Sequence, residues 1–347
     1  MKRIFAILAS YGLQSLAFAQ ELPRATGINE QNALHPAGPQ AHTIFQFWNF
    51  TVLICTVVFA AVVAALLYAL WRAPRSTSAT APDLAPLEVP ERGAKLSVVA
   101  AIALSIALLL VLIVMSFRTD RALARLPLSD ALSIQVTAKQ WWWDVRYDDP
   151  QASNMFSTAN EIHIPVGRPI VIKLQSNDVI HSFWVPNLHG KKDLIPGRPA
   201  VIQFRADKAG VYRGQCAEFC GLQHARMAFV VVAEPQEQYE AWVQAQRQTA
   251  PEPSNERQAK GRDIFLTRSC AMCHAIQGTQ ANARFGPDLT HIASRPTLAA
   301  GTLPNTREHL STWISDPQSI KPGSNMPSTA LNDDEREALL DYLGSLQ

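Results

Sequence analysis

The chain has 347 residues, a formal charge of +2 and 48% hydrophobic content. That length leaves room for two or three domains. The near-neutral balance excludes a basic nucleic-acid coat or an acidic tail, so no nucleic-acid partner is expected. Charged residues make up 17% against about 25% in soluble domains, a deficit that places part of the chain in lipid.

In chain order, Lys2 and Arg3, a mostly apolar stretch over 4–18 and the Ala17-Phe18-Ala19 cleavage pattern predict a signal peptide over 1–19. A membrane hairpin is expected over 40–118, because residues 45–71 and 96–117 carry no charge. The second run, as a helix, is about 33 Å long against a hydrocarbon core of about 30 Å. Cys55, inside the first run, reads as a small hydrophobe. Basic residues do not decide the orientation. Arg72, Arg75, Arg92 and Lys95 lie between the spans, while Arg24, Arg118, Arg121 and Arg125 lie at their far ends. A cleaved signal followed by two spans puts everything after Phe117 on the outer face.

Residues 130–235 change to short β-type runs, alternating at 133–137 and 161–166, followed by 169–174 and 200–204 and a β-branched run at 228–233, separated by Gly, Pro, Asn and Asp. That pattern predicts an all-β sandwich or barrel. A linker is expected over 236–254, where Thr249-Ala-Pro-Glu-Pro-Ser stands. Residues 255–347 have helical periodicity, with helices expected over 256–269, 305–315 and 333–346. Asn332 and Glu335 form a capping-box pattern before the last of these.

Four of the five cysteines fall in two tight pairs. Cys216 and Cys220 stand with His224 and Met227 in Gly214-Gln-Cys-Ala-Glu-Phe-Cys-Gly-Leu-Gln-His-Ala-Arg-Met, and His181 opens His-Ser-Phe-Trp-Val-Pro. Thiolate, imidazole and thioether together suit a soft transition metal, above all copper. Two thiolates can bridge two copper ions, with one imidazole for each and Met227 or a backbone carbonyl as weak axial ligands. A disulfide and a structural zinc site are the competing readings. Zinc rarely recruits methionine, and a disulfide gives the histidines no role.

Cys270-Ala-Met-Cys-His274 is a C-x-x-C-H pattern, in which two thioether bonds fix a porphyrin and the adjacent histidine binds its iron. A zinc knuckle would need a second ligand pair, and a thioredoxin-like redox pair a βαβ context. Met326 is the only methionine downstream, and His/Met ligation raises a haem potential. His291 and His309 are alternative sixth ligands.

The order of hydrophobic pair, His181-Ser-Phe-Trp-Val-Pro, Lys192-Asp-Leu-Ile-Pro-Gly and the Cys216–Met227 motif closely resembles subunit II of haem–copper cytochrome c oxidases over residues 40–235. The resemblance implies a cupredoxin fold holding the binuclear CuA centre. It also implies that the carbonyl of Glu218 is a copper ligand and that its side chain reaches a Mg or Mn ion shared with subunit I. By the same resemblance, Trp141 in Gln140-Trp-Trp-Trp-Asp is where electrons come in from cytochrome c. Family members often carry a Glu and a Trp-containing stretch near the second span to admit protons. Here Glu88 and Glu91 are available but no Trp follows. Phe285-Gly-Pro-Asp-Leu and Lys321-Pro-Gly-Ser-Asn-Met-Pro resemble class I cytochromes c.

The expected whole is a two-helix transmembrane hairpin, an all-β cupredoxin sandwich and a small all-α cytochrome c domain, in the bacterial plasma membrane with both metal domains outside. The resemblance implies subunit II of a respiratory terminal oxidase. Electrons would pass from cytochrome c, the fused haem included, through CuA to the dioxygen-reducing centre of subunit I, coupled to proton translocation. The implied partners are subunits I and III and a soluble or membrane-bound cytochrome c donor. A nitrous-oxide-reducing enzyme would need a large propeller domain, and a quinol oxidase subunit II lacks the copper ligands. A copper-binding assembly or sensor protein is the reading from another class.

Overall fold

The computed structural model describes residues 28–29, 31–73 and 91–347. The expected signal peptide, Arg24, Arg75 and Glu88 lie outside the described residues.

Two long helices come first, α1 (Pro39–Arg72) and α2 (Arg92–Leu123). Pro39 suits the first helical turn, where its missing N–H would have had no partner. The helices outrun the spans predicted at 45–71 and 96–117, because their polar ends continue the same backbone bonds past the apolar middle. Both are long and apolar enough to cross a membrane. Among the side chains of α2 none is buried, and in α1 only Gln40 and Ala41 are. So large an apolar surface is stable only away from water.

Ten strands follow: β1 (Leu132–Lys139), β2 (Trp142–Tyr147), β3 (Phe156–Ala159), β4 (Glu161–Pro165), β5 (Ile170–Ser176), β6 (His181–Trp184), β7 (Lys192–Leu194), β8 (Ala200–Phe204), β9 (Gly210–Cys216) and β10 (Ala228–Glu234). They form two sheets, ordered β3-β2-β1-β5-β8 and β4-β10-β9-β6-β7. Two pairings, β1 with β5 and β10 with β4, are parallel. Alternation decides which face is buried: Ile134 and Val136 on β1 meet Ile172 and Leu174 on β5 across the register. Each large apolar side chain removed from water contributes about 1.5–3 kcal/mol. The chain before α1 belongs to this sandwich. Ile28–Asn29 pairs in parallel with β9, Ala37 joins the core, and Ala37 and Asn187 share a backbone bond of 2.8 Å.

Residues 236–246 correct the expected linker over 236–254. They form helix α3 (Gln236–Gln246), whose Tyr239 is buried and whose Trp242 and Val243 pack on the sandwich core. Trp242 stacks on His163 with ring centroids 4.0 Å apart. A helix with one apolar face and a core to cover is held by that burial.

The last unit contains α4 (Glu256–Thr267), α5 (Arg307–Ser315) and α6 (Asp333–Gly344). The capping box forms: Asn332 Oδ1 accepts from the Glu335 N–H at 2.9 Å, and Glu335 Oε2 accepts from the Asn332 N–H at 3.1 Å. Helices α4 and α6 cross at Gly261, where an added Cβ would lie 2.0 Å from the Ala338 carbonyl oxygen. Phe265, Leu339, Tyr342 and Leu343 fill a core separate from that of the sandwich.

Candidate metal centres

Two strand ends and one loop assemble the first cluster. Cys216 ends β9, His181 opens β6, and the turn between β9 and β10 brings Cys220, His224 and Met227 back beneath them. The two sulfurs stand 3.7 Å apart, far beyond a disulfide bond of about 2.05 Å. His181 Nδ1 is 3.8 Å from Cys216 Sγ, and His224 Nδ1 is 3.6 Å from Cys220 Sγ. Met227 Sδ is 3.9 Å from Cys220 Sγ, and the Glu218 carbonyl oxygen 3.2 Å from Cys216 Sγ. The arrangement is two central sulfurs, one imidazole beside each, and a thioether and a carbonyl at the ends. That donor set fits a pair of soft ions.

The surroundings prepare these donors. His181 Nε2 bonds Asp178 Oδ1 at 2.7 Å, leaving Nδ1 to face the sulfurs. The hydrogen bond shared with Cys220 outweighs burial and holds the Cys216 thiol well below its ordinary value, while the same bond pushes Cys220 upward. The pair therefore gives up its first proton readily. His181, Cys216, Cys220 and Met227 are almost fully buried. Trp143, also buried, lies edge-on to His181 and points its indole N–H at the Met227 carbonyl, 3.4 Å away.

The second cluster lines a cavity of about 1410 Å³, counting its open mouth, walled by Cys270, Cys273, His274 and Met326. His274 Nδ1 donates to the Pro287 carbonyl at 2.7 Å, which leaves Nε2 bare. Burial lowers the His274 pKa, so the ring is neutral at neutral pH, the form that binds a metal. Arg295 is a buried cation on the same wall, and its Nε has no hydrogen-bond partner. Its Nη2 donates to the Asp288 carbonyl at 2.6 Å and its Nε lies 3.8 Å from Glu161 Oε1. Two thiols, a bare imidazole, a thioether and a buried cation fit a covalently held haem with its acidic groups. Trp141 and Gln140, from the sandwich, border this cavity too.

Two family profiles match. "Cytochrome C oxidase subunit II, periplasmic domain" matches residues 150–234, and "Cytochrome c" matches residues 258–347. The chain carries a cytochrome c oxidase subunit II domain with a cytochrome c domain fused behind it. Among relatives, cytochrome c oxidase subunit 2 of Alkalihalophilus pseudofirmus is 40% identical over 215 residues, 62% of this chain and 61% of that one. Its counterpart in Bacillus subtilis is 31% identical over 229 residues, 63% of each. The chain thus spans less than two thirds of these relatives' own lengths. Among solved structures, the periplasmic domain of subunit II of cytochrome oxidase from Bradyrhizobium japonicum is 32% identical over 35% of this chain and 97% of that one, with a TM-score of 0.33.

Within the subunit II domain, Glu218 turns its side chain outward to Lys191, 3.2 Å away. Glu91 stands before the first turn of α2, exposed. In the cytochrome domain, neither His291 nor His309 lines the cavity. The ring of His291 bonds the carbonyls of Gln347 at 2.7 Å and Gln248 at 3.2 Å, and His309 Nδ1 lies 3.1 Å from that of Pro304. In the second cluster Arg295 carried no readable signal in the sequence, and Gly286 stood inside the Phe285-Gly-Pro-Asp-Leu motif without its role being visible. A Cβ on Gly286 would lie 2.6 Å from His274 Cε1, so the glycine is what lets the chain pass the imidazole face. Gly286→Ala is expected to shift the ring at a cost of about 1–3 kcal/mol and to lower the yield of covalent haem. A reduced-minus-oxidised spectrum per milligram of protein checks this, and a wild-type yield would contradict it.

Proposed function

We propose that the chain is subunit II of a bacterial respiratory terminal oxidase, taking electrons from a cytochrome c donor and delivering them toward the dioxygen-reducing centre of subunit I. One observation carries the reading. Trp141 borders the haem cavity and its indole N–H donates to the Cys220 carbonyl at 2.9 Å, so one side chain touches both clusters. When bound, the haem and the copper pair each supply a centre that accepts and releases one electron at a time.

Cys270 and Cys273 would hold the porphyrin, with His274 and Met326 to bind its iron and Arg295 against an acidic group of the haem. Cys216 and Cys220 would bridge the coppers, His181 and His224 would each bind one, and Met227 and the Glu218 carbonyl would complete the set. The outward carboxylate of Glu218, paired here with Lys191 at 3.2 Å, would turn to a Mg or Mn ion at a subunit I interface. Asp178 and the packed aromatics around Trp143 keep the copper ligands from moving when charge changes, which keeps reorganisation small. Trp141 is the path between the two clusters. Subunit I, with subunit III beside it, would carry the oxygen chemistry and proton translocation, in the bacterial plasma membrane with both metal domains on the periplasmic side.

The test is metal content of the full chain in detergent, followed by co-purification. About two coppers and one covalently bound iron per chain are expected, together with a multi-span partner. Iron without copper would remove the oxidase reading. Copper without a partner would favour a copper-handling assembly protein.

A further inference from the structure

Lys321 lies between the two metal domains and is only 3% exposed. Lysine is almost never buried so completely without a carboxylate to pair with. Its Nζ donates instead to two carbonyl oxygens, that of Trp141 in the copper domain at 2.8 Å and that of Ala299 in its own domain at 3.2 Å. Its neighbours are held as well. Arg226 donates to the Ile320 carbonyl, and Gln223 Nε2 donates to the Pro322 carbonyl at 2.6 Å. Asn325 Nδ2 reaches the Gln140 carbonyl at 3.3 Å. The stretch just before Met326 is thus stitched to the loop that carries Cys220, His224 and Met227.

The far side of the contact is built under strain. Ala299 and Ala300 have φ of 51° and 58°, a left-handed conformation that residues with a Cβ rarely adopt. Lys321 holds the carbonyl of the first. The Ala228 N–H, next to Met227, holds that of the second at 3.0 Å. Burial drives the Lys321 pKa down to about 7. A desolvated cation and two strained alanines at one contact argue for a geometry maintained for a purpose other than stability.

We propose that Lys321 is a positioning residue for electron transfer between the two centres: its ammonium locks the methionine loop of the cytochrome domain onto Trp141, so that the domain stays docked through turnover instead of swinging on the segment after α3. This rests on the electron-relay reading above. One electron passes per event from the reduced haem centre to the oxidised copper pair, and the lysine keeps the distance constant.

The test uses the full chain, with Lys321→Met, which keeps the stem's bulk and removes both bonds. Amide exchange of residues 226–230 and 299–302 is expected to rise. The rate of copper reduction by photoreduced haem is expected to fall about tenfold or more, with copper content and the haem–methionine absorption band unchanged. Unchanged exchange and rate, with both centres intact, would overturn the proposal. A second measurement needs no variant: the wild-type rate should be independent of solvent viscosity, and a rate falling in proportion to viscosity means that the domain undocks at each turnover and the latch does not exist. If the wild-type chain holds both metals but passes no electron between them, the relay reading itself fails.

Discussion

Replacing Cys216 with serine is expected to strip the chain of both its coppers while leaving its haem in place. On the proposed assignment the Cys216 sulfur would serve both ions, so its loss would remove a ligand from each. A serine hydroxyl is a hard, protonated donor that does not replace a thiolate on copper. The neighbouring donors cannot compensate, because Cys216 is the atom on which His181 and the Glu218 carbonyl converge, at 3.8 and 3.2 Å. Cys220→Ser is expected to do the same. The haem signal should survive, since the cytochrome domain has its own core. Cys55→Ser, on the exposed face of α1, is the control and should change neither metal. Copper and iron analysis of the three variants checks the result. A Cys216→Ser chain that retains its copper would sink the assignment of the thiols as ligands.

Gly261→Ala is expected to loosen the cytochrome domain without touching copper. Helices α4 and α6 approach so closely there that the new methyl would collide with the Ala338 carbonyl oxygen, and at 2.8 Å with Tyr342 Cβ. Backbone cannot rotate away as a side-chain tip can, so the axes must separate and the buried contacts of Phe265 and Tyr342 suffer. Overpacking of this kind costs about 1–3 kcal/mol. For a domain of this size each kcal/mol lowers the midpoint by about 4–8 °C. Thermal unfolding followed at the haem absorption should show the drop, with copper content as wild type. An unaltered midpoint would mean that the helices do not cross in contact.

The proposed metal donors could be read from the sequence because their chemistry is local. Cys216, Cys220, His224 and Met227 fall within twelve residues, and Cys270 to His274 within five. Short β-type runs likewise marked β1, β4, β5, β8 and β10, the first two by alternation and the last by its β-branched residues. Strands such as β7, three residues long, are too short to show a period. Helix α3 was hidden by its Gln-rich exterior, and only the sandwich surface it covers explains why it folds. Lys321 and Trp141 are 180 positions apart, so their bond has no trace in either motif. Arg295 and Gly286 matter only because the chain folds them around one cavity.

The pairing of Ile28–Asn29 with β9 and the burial of Ala37 also bear on how this protein can be cut. The copper domain is assembled from both sides of the membrane hairpin: Gln31 bonds Arg213 at 3.1 Å, and the Asp207 N–H bonds the Ala37 carbonyl at 2.7 Å. A water-soluble version started after α2 would lack one rim of its own sandwich, leaving the outer edge of β9 and the groove of Ala37 bare. Supplying residues 28–38 as a separate peptide, or splicing them ahead of β1 in place of the hairpin, would give that fragment back the piece that the lipid-embedded form has by connectivity.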